Sequence, residues 1–193
     1  TWTQNPRQAG PGPRPLSDVK VDLERNSHTL RTEFTHGGVE DTLSGTIGFE
    51  GLYEDQESKG PGGFTPGGQV ENLALFGLGR MAADPWTFEA GLRYDHRSQK
   101  ADPSQTKRAG LPVPGAKLEN DFDVLTASLG AIYQMSENLA LAGNVNRGFR
   151  APSLFELYAD GVHGGVEAVQ QGSSDLDEET SLGGDFQVRW RSE

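Results

Sequence analysis

Five stretches of this chain alternate apolar and polar side chains with a period of two, and few folds can satisfy that much alternation. Trp86, Phe88, Ala90, Leu92 and Tyr94 alternate with Thr87, Glu89, Gly91, Arg93 and Asp95. The same rhythm runs through 43–53, 125–135, 139–149 and 180–190. Successive side chains of a strand leave from opposite faces, so each stretch reads as a strand with one apolar and one polar face. The apolar faces must meet a second sheet or lipid. Two further stretches are less clean. In 70–81, "VENLALFGLGRM", both parities are apolar and the faces stay unassigned. In 18–36, Val19, Val21 and Leu23 share one parity, and Leu30 and Phe34 the other. This is read as one long strand with a bulge, the alternative being a hairpin turn at Arg25-Asn26-Ser27. The total is about seven strands.

The connections alternate in length. Short turns stand at 37–40, 82–85 and 136–138; long segments stand at 3–17, 55–69, 99–120 and 151–178. Transmembrane barrels have this rhythm, with short turns on one side and long loops on the other. A single strand at 18–36 preserves it. Trp86, Tyr133 and Trp190 lie beside short turns, and Tyr53 and Tyr94 at the opposite strand ends, as two interfacial girdles require. The expected fold is all-β: an antiparallel transmembrane β-barrel, present as an incomplete fragment. The alternative is a soluble β-sandwich acting as an adhesion or ligand-binding module. Long loops on one side only are uncommon in compact sandwiches.

Composition then closes off other classes. Hydrophobic residues make up 34% of the chain, which suits a wall where every second strand residue meets lipid. The net charge of -11 argues against nucleic acid, which needs a basic surface. No cysteine is present, so there is no disulfide framework and no thiolate metal site. No apolar run approaches the roughly 20 residues of a membrane helix. "GPGGFTPGG" (60–68) lacks the Lys-Ser/Thr of a phosphate loop, and neither H-E-x-x-H nor G-x-S-x-G occurs. The expectation is a protein that is not an enzyme and needs no cofactor. Among the four histidines, His163 lies near Asp160, with Asp175, Asp177, Glu178 and Glu179 later in the same segment. Imidazole with carboxylates is a donor set for a divalent ion, with His163 and Asp160 the candidate ligands. The plainer alternative is a solvated acidic loop.

The stretch "NVNRGFRAPSLFELYADG" resembles a segment in the barrels of TonB-dependent outer-membrane receptors. Arg147, Gly148, Phe149, Arg150, Ala151, Pro152, Ser153, Leu154, Phe155, Glu156, Leu157 and Tyr158 carry the likeness. A second segment, "DLDEETSLGGDFQVRW", is similar to the family through Asp175, Leu176, Glu179 and Ser181, with Ser174 where the family often has proline. "LYADGVHGG" is similar to a branch that includes zinc-uptake receptors. The resemblance implies a barrel in the Gram-negative outer membrane, surrounded by its lipid and enclosing a plug. A TonB energy-coupling complex would act through that plug. The cargo would be a metal chelate such as a siderophore, or a metal ion. Residues 1–193 would be an internal fragment of the barrel domain, with the plug and the C-terminal strands absent. Within the motif, Pro152 has no N–H to donate and biases Ala151 to extended geometry, so the ladder stops there. Phe149 and Arg147 fall on the apolar parity and Arg150 on the lumen parity, with Glu89, Arg93, Asp95, Asn144, Asn146, Asp185 and Arg189. Arg150, Asp160 and His163 are the candidate ligand-binding residues. Gly161, Gly164 and Gly165 would permit a mobile external loop.

Overall fold

The computed structural model describes residues 22–38, 40–59, 66–102, 117–163 and 168–192. Residues 3–17, Val19, Val21, the segments 60–65 and 103–116, Gly164 and Gly165 lie outside the described residues. Each alternating stretch is a strand. The order is β1 (Asp22–His36), β2 (Leu43–Lys59), β3 (Gly67–Ala83), β4 (Trp86–Asp102), β5 (Glu119–Ser136), β6 (Leu139–Arg150), α1 (Leu154–Tyr158), β7 (Asp160–His163), β8 (Ala168–Gln171) and β9 (Glu179–Trp190). Seven strands form one antiparallel sheet in the order β1-β2-β3-β4-β5-β6-β9, while β7 and β8 pair separately.

The described part of the 18–36 stretch, residues 22–36, is one strand, and it carries no bulge. Its pairing with β2 runs without a shift from Asp22↔Lys59 to His36↔Gly45. The change of parity has another cause. Leu23 lies opposite Ser58, far from the turn end, whereas Leu30 and Phe34 lie on the open apolar face. The register shift in this sheet falls instead between Gln134 and Ser136. The strands also outrun the apolar pattern: Gln56↔Gly68 and Gly68↔Ala101 are still paired, so the long connections are shorter than 55–69 and 99–120. Beyond the apolar band there is no lipid to enforce alternation, and the sequence pattern falls silent although the ladder continues.

Directly opposed residues share a face. Leu43 heads a row that runs through Met81, Phe88, Ala131, Gly143 and Phe186. This face is apolar and open; Leu129 is 61% exposed and Phe186 70%. Among the described residues no second sheet covers it, so a sandwich is not formed. The register also assigns β3. Leu73, Leu75 and Met81 join the apolar face, and Val70, Ala74, Phe76 and Leu78 the polar one. The Phe76 ring fits there because Gly48 opposes it; a Cβ at Gly48 would collide with the ring.

The apolar band slips across the sheet. The row of Leu43 reaches β9 at Phe186, yet apolar residues continue four positions further, to Trp190. The row of Tyr53 reaches β5 at Asp121, yet apolar residues there stop four positions short, at Leu125. Four residues are thus lost over three to five strand steps. With about 3.3 Å per residue and about 4.8 Å between strands, this slip inclines the strands by about 30–40°, the tilt of a barrel wall. Trp86 stacks on Phe88 at 5.7 Å and packs against Tyr133 at 4.7 Å near the turns. At the loop side, the Tyr94 hydroxyl donates to Asp123 at 2.6 Å. Between Trp86 and Tyr94 the strand rises about 26 Å, or about 20 Å once tilted, close to the roughly 25 Å apolar band of such walls.

The row of Ala90 and Leu129 lies midway between these girdles. Leu129→Arg is expected to cost about 2–4 kcal/mol, whereas Ser128→Arg on the polar face should cost about 0.5 kcal/mol or less. Denaturant unfolding of the intact receptor from phospholipid vesicles measures both; equal costs would refute the assignment of faces.

Candidate functional site at the loop-side end of the polar face

Where β6 ends, the chain turns inward. After Ala151 and Pro152, Ser153 caps α1: its hydroxyl accepts from the Glu156 N–H at 3.3 Å, and the Glu156 carboxylate accepts from the Ser153 N–H at 2.8 Å. This reciprocal box satisfies two donors that a helix start otherwise leaves unpaired. Leu154, Leu157 and Tyr158 are buried against Val70, Ala101, Phe122 and Val124 of the polar face. Polar contacts fix the seat. Gln99 Nε2 donates to the Pro152 carbonyl at 2.7 Å, the Tyr158 hydroxyl to Asn120 Oδ1 at 2.6 Å, and Asn120 Nδ2 to the Ser174 carbonyl at 2.8 Å. The returning chain lies directly on the helix. A Cβ at Gly172 would sit 2.7 Å from the Glu156 carbonyl oxygen and 2.8 Å from Leu157 and Tyr158 backbone atoms, so only glycine fits.

This differs from a glycine-rich loop free of structure: the segment holds a docked helix and the β7–β8 hairpin. Phe149 is partly buried against the α1 cluster rather than facing lipid. The reason is that β5 and β6 pair only as far as Ala127↔Arg147, so Phe149 lies beyond the two-sided part of the wall. Arg147 also acts at that parting, donating from Nη1 to the Leu125 carbonyl. Gly148 lies opposite Ser181 in the β6–β9 ladder.

Arg150 holds two carboxylates. Its Nη1 and Nη2 donate to Glu156 at 2.8 and 2.9 Å, and its Nε and Nη2 to Glu179 at 3.1 and 2.8 Å. Glu179 is its register partner on β9. The Arg150 hydrogen bonds, helped by the Ser153 N–H, hold the Glu156 carboxyl down at about 2. Burial pushes the Tyr158 phenol up to about 12, with Glu119 and Asp121 adding to the effect. Asp160 and His163 open and close β7, opposite Gln171 and Ala168, on a hairpin separate from the Arg150 clamp. Among the described residues no group of three or more His, Asp and Glu gathers in a way that would hold a metal ion.

A second constellation lies nearer the membrane level. Glu50 on β2 accepts from Arg31 of β1 at 2.9 Å and from Arg93 of β4 at 2.8 Å. Arg93 reaches diagonally across β3, where the residue opposite Glu50 is the small, buried Ala74. Arg93 also forks onto Asp95, at 2.8 Å to each oxygen, and Asn72 donates to Asp95 at 2.9 Å. The Arg31 guanidinium stands 4.4 Å from the Phe76 ring centroid, a cation–π contact. Parity put Arg93 and Asp95 on this face. The roles of Glu50 and Arg31 follow only from the register, which brings charges from three strands together. The array supplies fixed, compensated charge.

An open apolar face between aromatic rows, a charged opposite face and an inward-folded helix define the arc of a membrane β-barrel wall. Residues 2–193 match the family model described as TonB dependent receptor-like, beta-barrel. The chain belongs to that family, whose barrels lie in the Gram-negative outer membrane. Among solved structures it is similar to the copper transporter OprC, at 16% identity and TM-score 0.69, over 89% of this chain and 28% of that one. It is also similar to a double mutant of the Serratia marcescens hemophore receptor HasR in complex with its hemophore HasA and heme. There the identity is 20% and the TM-score 0.62, over 87% of this chain and 30% of that one. At these identities the likeness is one of fold, and the chain spans under a third of either structure. No curated protein matches.

The clamp has a titration signature. Because the Glu156 carboxyl is depressed in the folded chain, its contribution to stability is complete above about 4.5 and is lost as pH falls toward about 2. Carbon-13 titration of Glu156 in the intact receptor is expected to show that low midpoint in the wild type and a return toward about 4.3 in Arg150→Gln. An ordinary midpoint in the wild type would mean the clamp does not form.

Proposed function

We propose that this chain is an arc of a receptor that imports a scarce ligand across the outer membrane by TonB-dependent active transport. The observation that carries the reading is the two-faced, single-layered wall of a family of outer-membrane receptors. Seven strands are about a third of the 22 found in plugged outer-membrane transporters, in keeping with the 28% and 30% of the two similar structures that the chain spans. On this reading residues 1–193 are an internal part of the barrel domain, and the plug and the remaining strands belong to the rest of the receptor. The TonB complex would act through that plug. The role is transport rather than catalysis.

The cargo we favour is a metal chelate such as a siderophore, or a metal ion. The β7–β8 hairpin, with Asp160 and His163, would meet it from the loop side, and Arg150 would stand at the base of that segment. An acidic surface draws cations rather than anions, which supports the metal version. OprC is a copper transporter, and the HasR structure is a complex that includes heme; copper and heme both fit a metal-centred class.

The test is uptake by cells carrying the intact receptor, with and without TonB, supplied with zinc or with an iron–siderophore chelate. Accumulation should be saturable and should vanish without TonB; uptake indifferent to TonB would overturn the import reading. His163→Ala and Asp160→Asn are expected to reduce zinc binding at unchanged outer-membrane abundance. Unchanged zinc binding in both variants would remove the metal-ion version and leave a chelate.

A further inference from the structure

Between β5 and β6 the sheet parts. Their pairing ends at Ala127↔Arg147, but β5 continues eight residues toward the loop side, still paired with β4 as far as Lys100↔Glu119. This stretch is an edge in the middle of the wall, unlike the outer edges of β1 and β9. Arg147 donates to the Leu125 carbonyl, so that carbonyl faces the parting. In an antiparallel strand the N–H and C=O of one residue point to the same side, and the side alternates along the chain. The backbone groups of Asp123, Asp121 and Glu119 therefore face the parting too. Among the described residues, no backbone hydrogen bond outside the strand ladders reaches 119–126 from that side.

The side chains of the same residues stand on the outward face. The Asp123 carboxylate is 60% exposed and that of Glu119 55%. The other parity, Phe122 and Val124, is buried beneath α1. The edge from Glu119 to Asp123 is thus about 16 Å of backbone with no described ladder partner on that side, flanked by a row of carboxylates and backed by a packed core. It lies beyond Tyr94, outside the apolar band.

A free strand edge is a template for another strand, and natural proteins often blunt such edges with charge. On the edge strand itself the charge is of one sign, with Lys100 of β4 3.9 Å from Glu119 and His96 2.8 Å from Asp123 behind it. The acidic strand would repel a second copy of the same edge, since like charges directly opposed across strands are destabilising. It would favour a strand bearing the opposite charge. We propose that the β5 edge, Glu119–Asp123, is a docking site for an extended, cationic segment of another polypeptide arriving from the loop side. That segment adds to the sheet through main-chain hydrogen bonds, and its alternate Lys or Arg side chains face Glu119, Asp121 and Asp123. Main-chain pairing supplies affinity and the alternating charges set register, as in other strand-addition interfaces. Arg147 closes the turn-side end of the edge by occupying the Leu125 carbonyl. The inference rests on strand register and charge and is independent of which cargo the receptor imports.

The probe is a fluorescent nine-residue peptide of alternating lysine and valine, titrated into the intact receptor in detergent micelles and followed by anisotropy. Two further peptides keep the same charge but carry backbone N-methyl groups, one on every lysine and the other on every valine. An added strand presents only one of these two sets of N–H groups to β5. One methylated peptide should therefore bind about tenfold or more weakly, and the other should match the parent. Loss of binding in both, or in neither, would overturn strand addition and leave charge attraction alone. The receptor carrying Asp121→Asn with Asp123→Asn, checked for normal outer-membrane abundance, should bind the parent more weakly and with a shallower salt dependence. Binding unaltered by those changes would also overturn the proposal.

Discussion

In lipid no water is at hand to hydrogen-bond a stray N–H or C=O, so a strand wall must pair every backbone group with a neighbouring strand. Most features of this chain descend from that requirement. The strands of β2 to β5 have 17 or 18 residues, long enough to cross a tilted wall with length to spare. Their turns on one side are tight, since a slack turn would leave unpaired groups near the membrane. The ladder between β1 and β2 runs without interruption for 15 residues. Among the described residues, departures from strict pairing occur only where the apolar band has ended. The shift at Gln134–Ser136 lies at the turn end, and the parting of β5 and β6 lies at the loop end. Water can satisfy the freed groups there, and the chain gains the freedom to fold α1 inward or to leave an edge open.

The strand faces were legible in the sequence wherever lipid and lumen imposed opposite chemistry on them. Trp86 to Tyr94 needed nothing more than parity. Reading failed where a local device let one face carry the other's residues. Phe76 is apolar and faces the polar side, since Gly48 leaves room for its ring and Arg31 covers it. No single-strand pattern contains that arrangement, because its parts lie on three strands. The bulge expected in 18–36 extrapolates alternation into the part of β1 that no longer meets lipid.

The candidate site was partly legible. The sequence Ser153-x-x-Glu156 before an apolar run is the signature of a helix start, and it marks α1 without any structural knowledge. The glycines that follow it pull the other way, toward an irregular loop. Glu179 as the partner of Arg150 was not legible at all. The two residues are 29 apart, and only the β6–β9 register makes them neighbours. Two sequence segments that resemble the family separately, 147–158 and 175–181, thus meet through one guanidinium. Arg150 ties the end of the β6–β9 ladder to the first turn of α1, so strand pairing and helix position are set together.

Charge follows the same division between inside and outside. On the polar face, cations sit beside acids: Arg25 with Glu54, Arg31 and Arg93 with Glu50, Arg150 with Glu156 and Glu179. Low-dielectric surroundings penalise an unpaired charge there, and pairing relieves the penalty. On the outward face beyond the apolar band, Glu71 and Asp121 meet water instead, while Asp123 is held by the Tyr94 hydroxyl and by His96 Nδ1 at 2.6 and 2.8 Å. Among the described residues, exposed carboxylates thus stand at the loop-side ends of β3 and β5. A wall paired within and acidic at its outer rim has a field that favours cations there, and the unpaired edge of β5 lies within that rim.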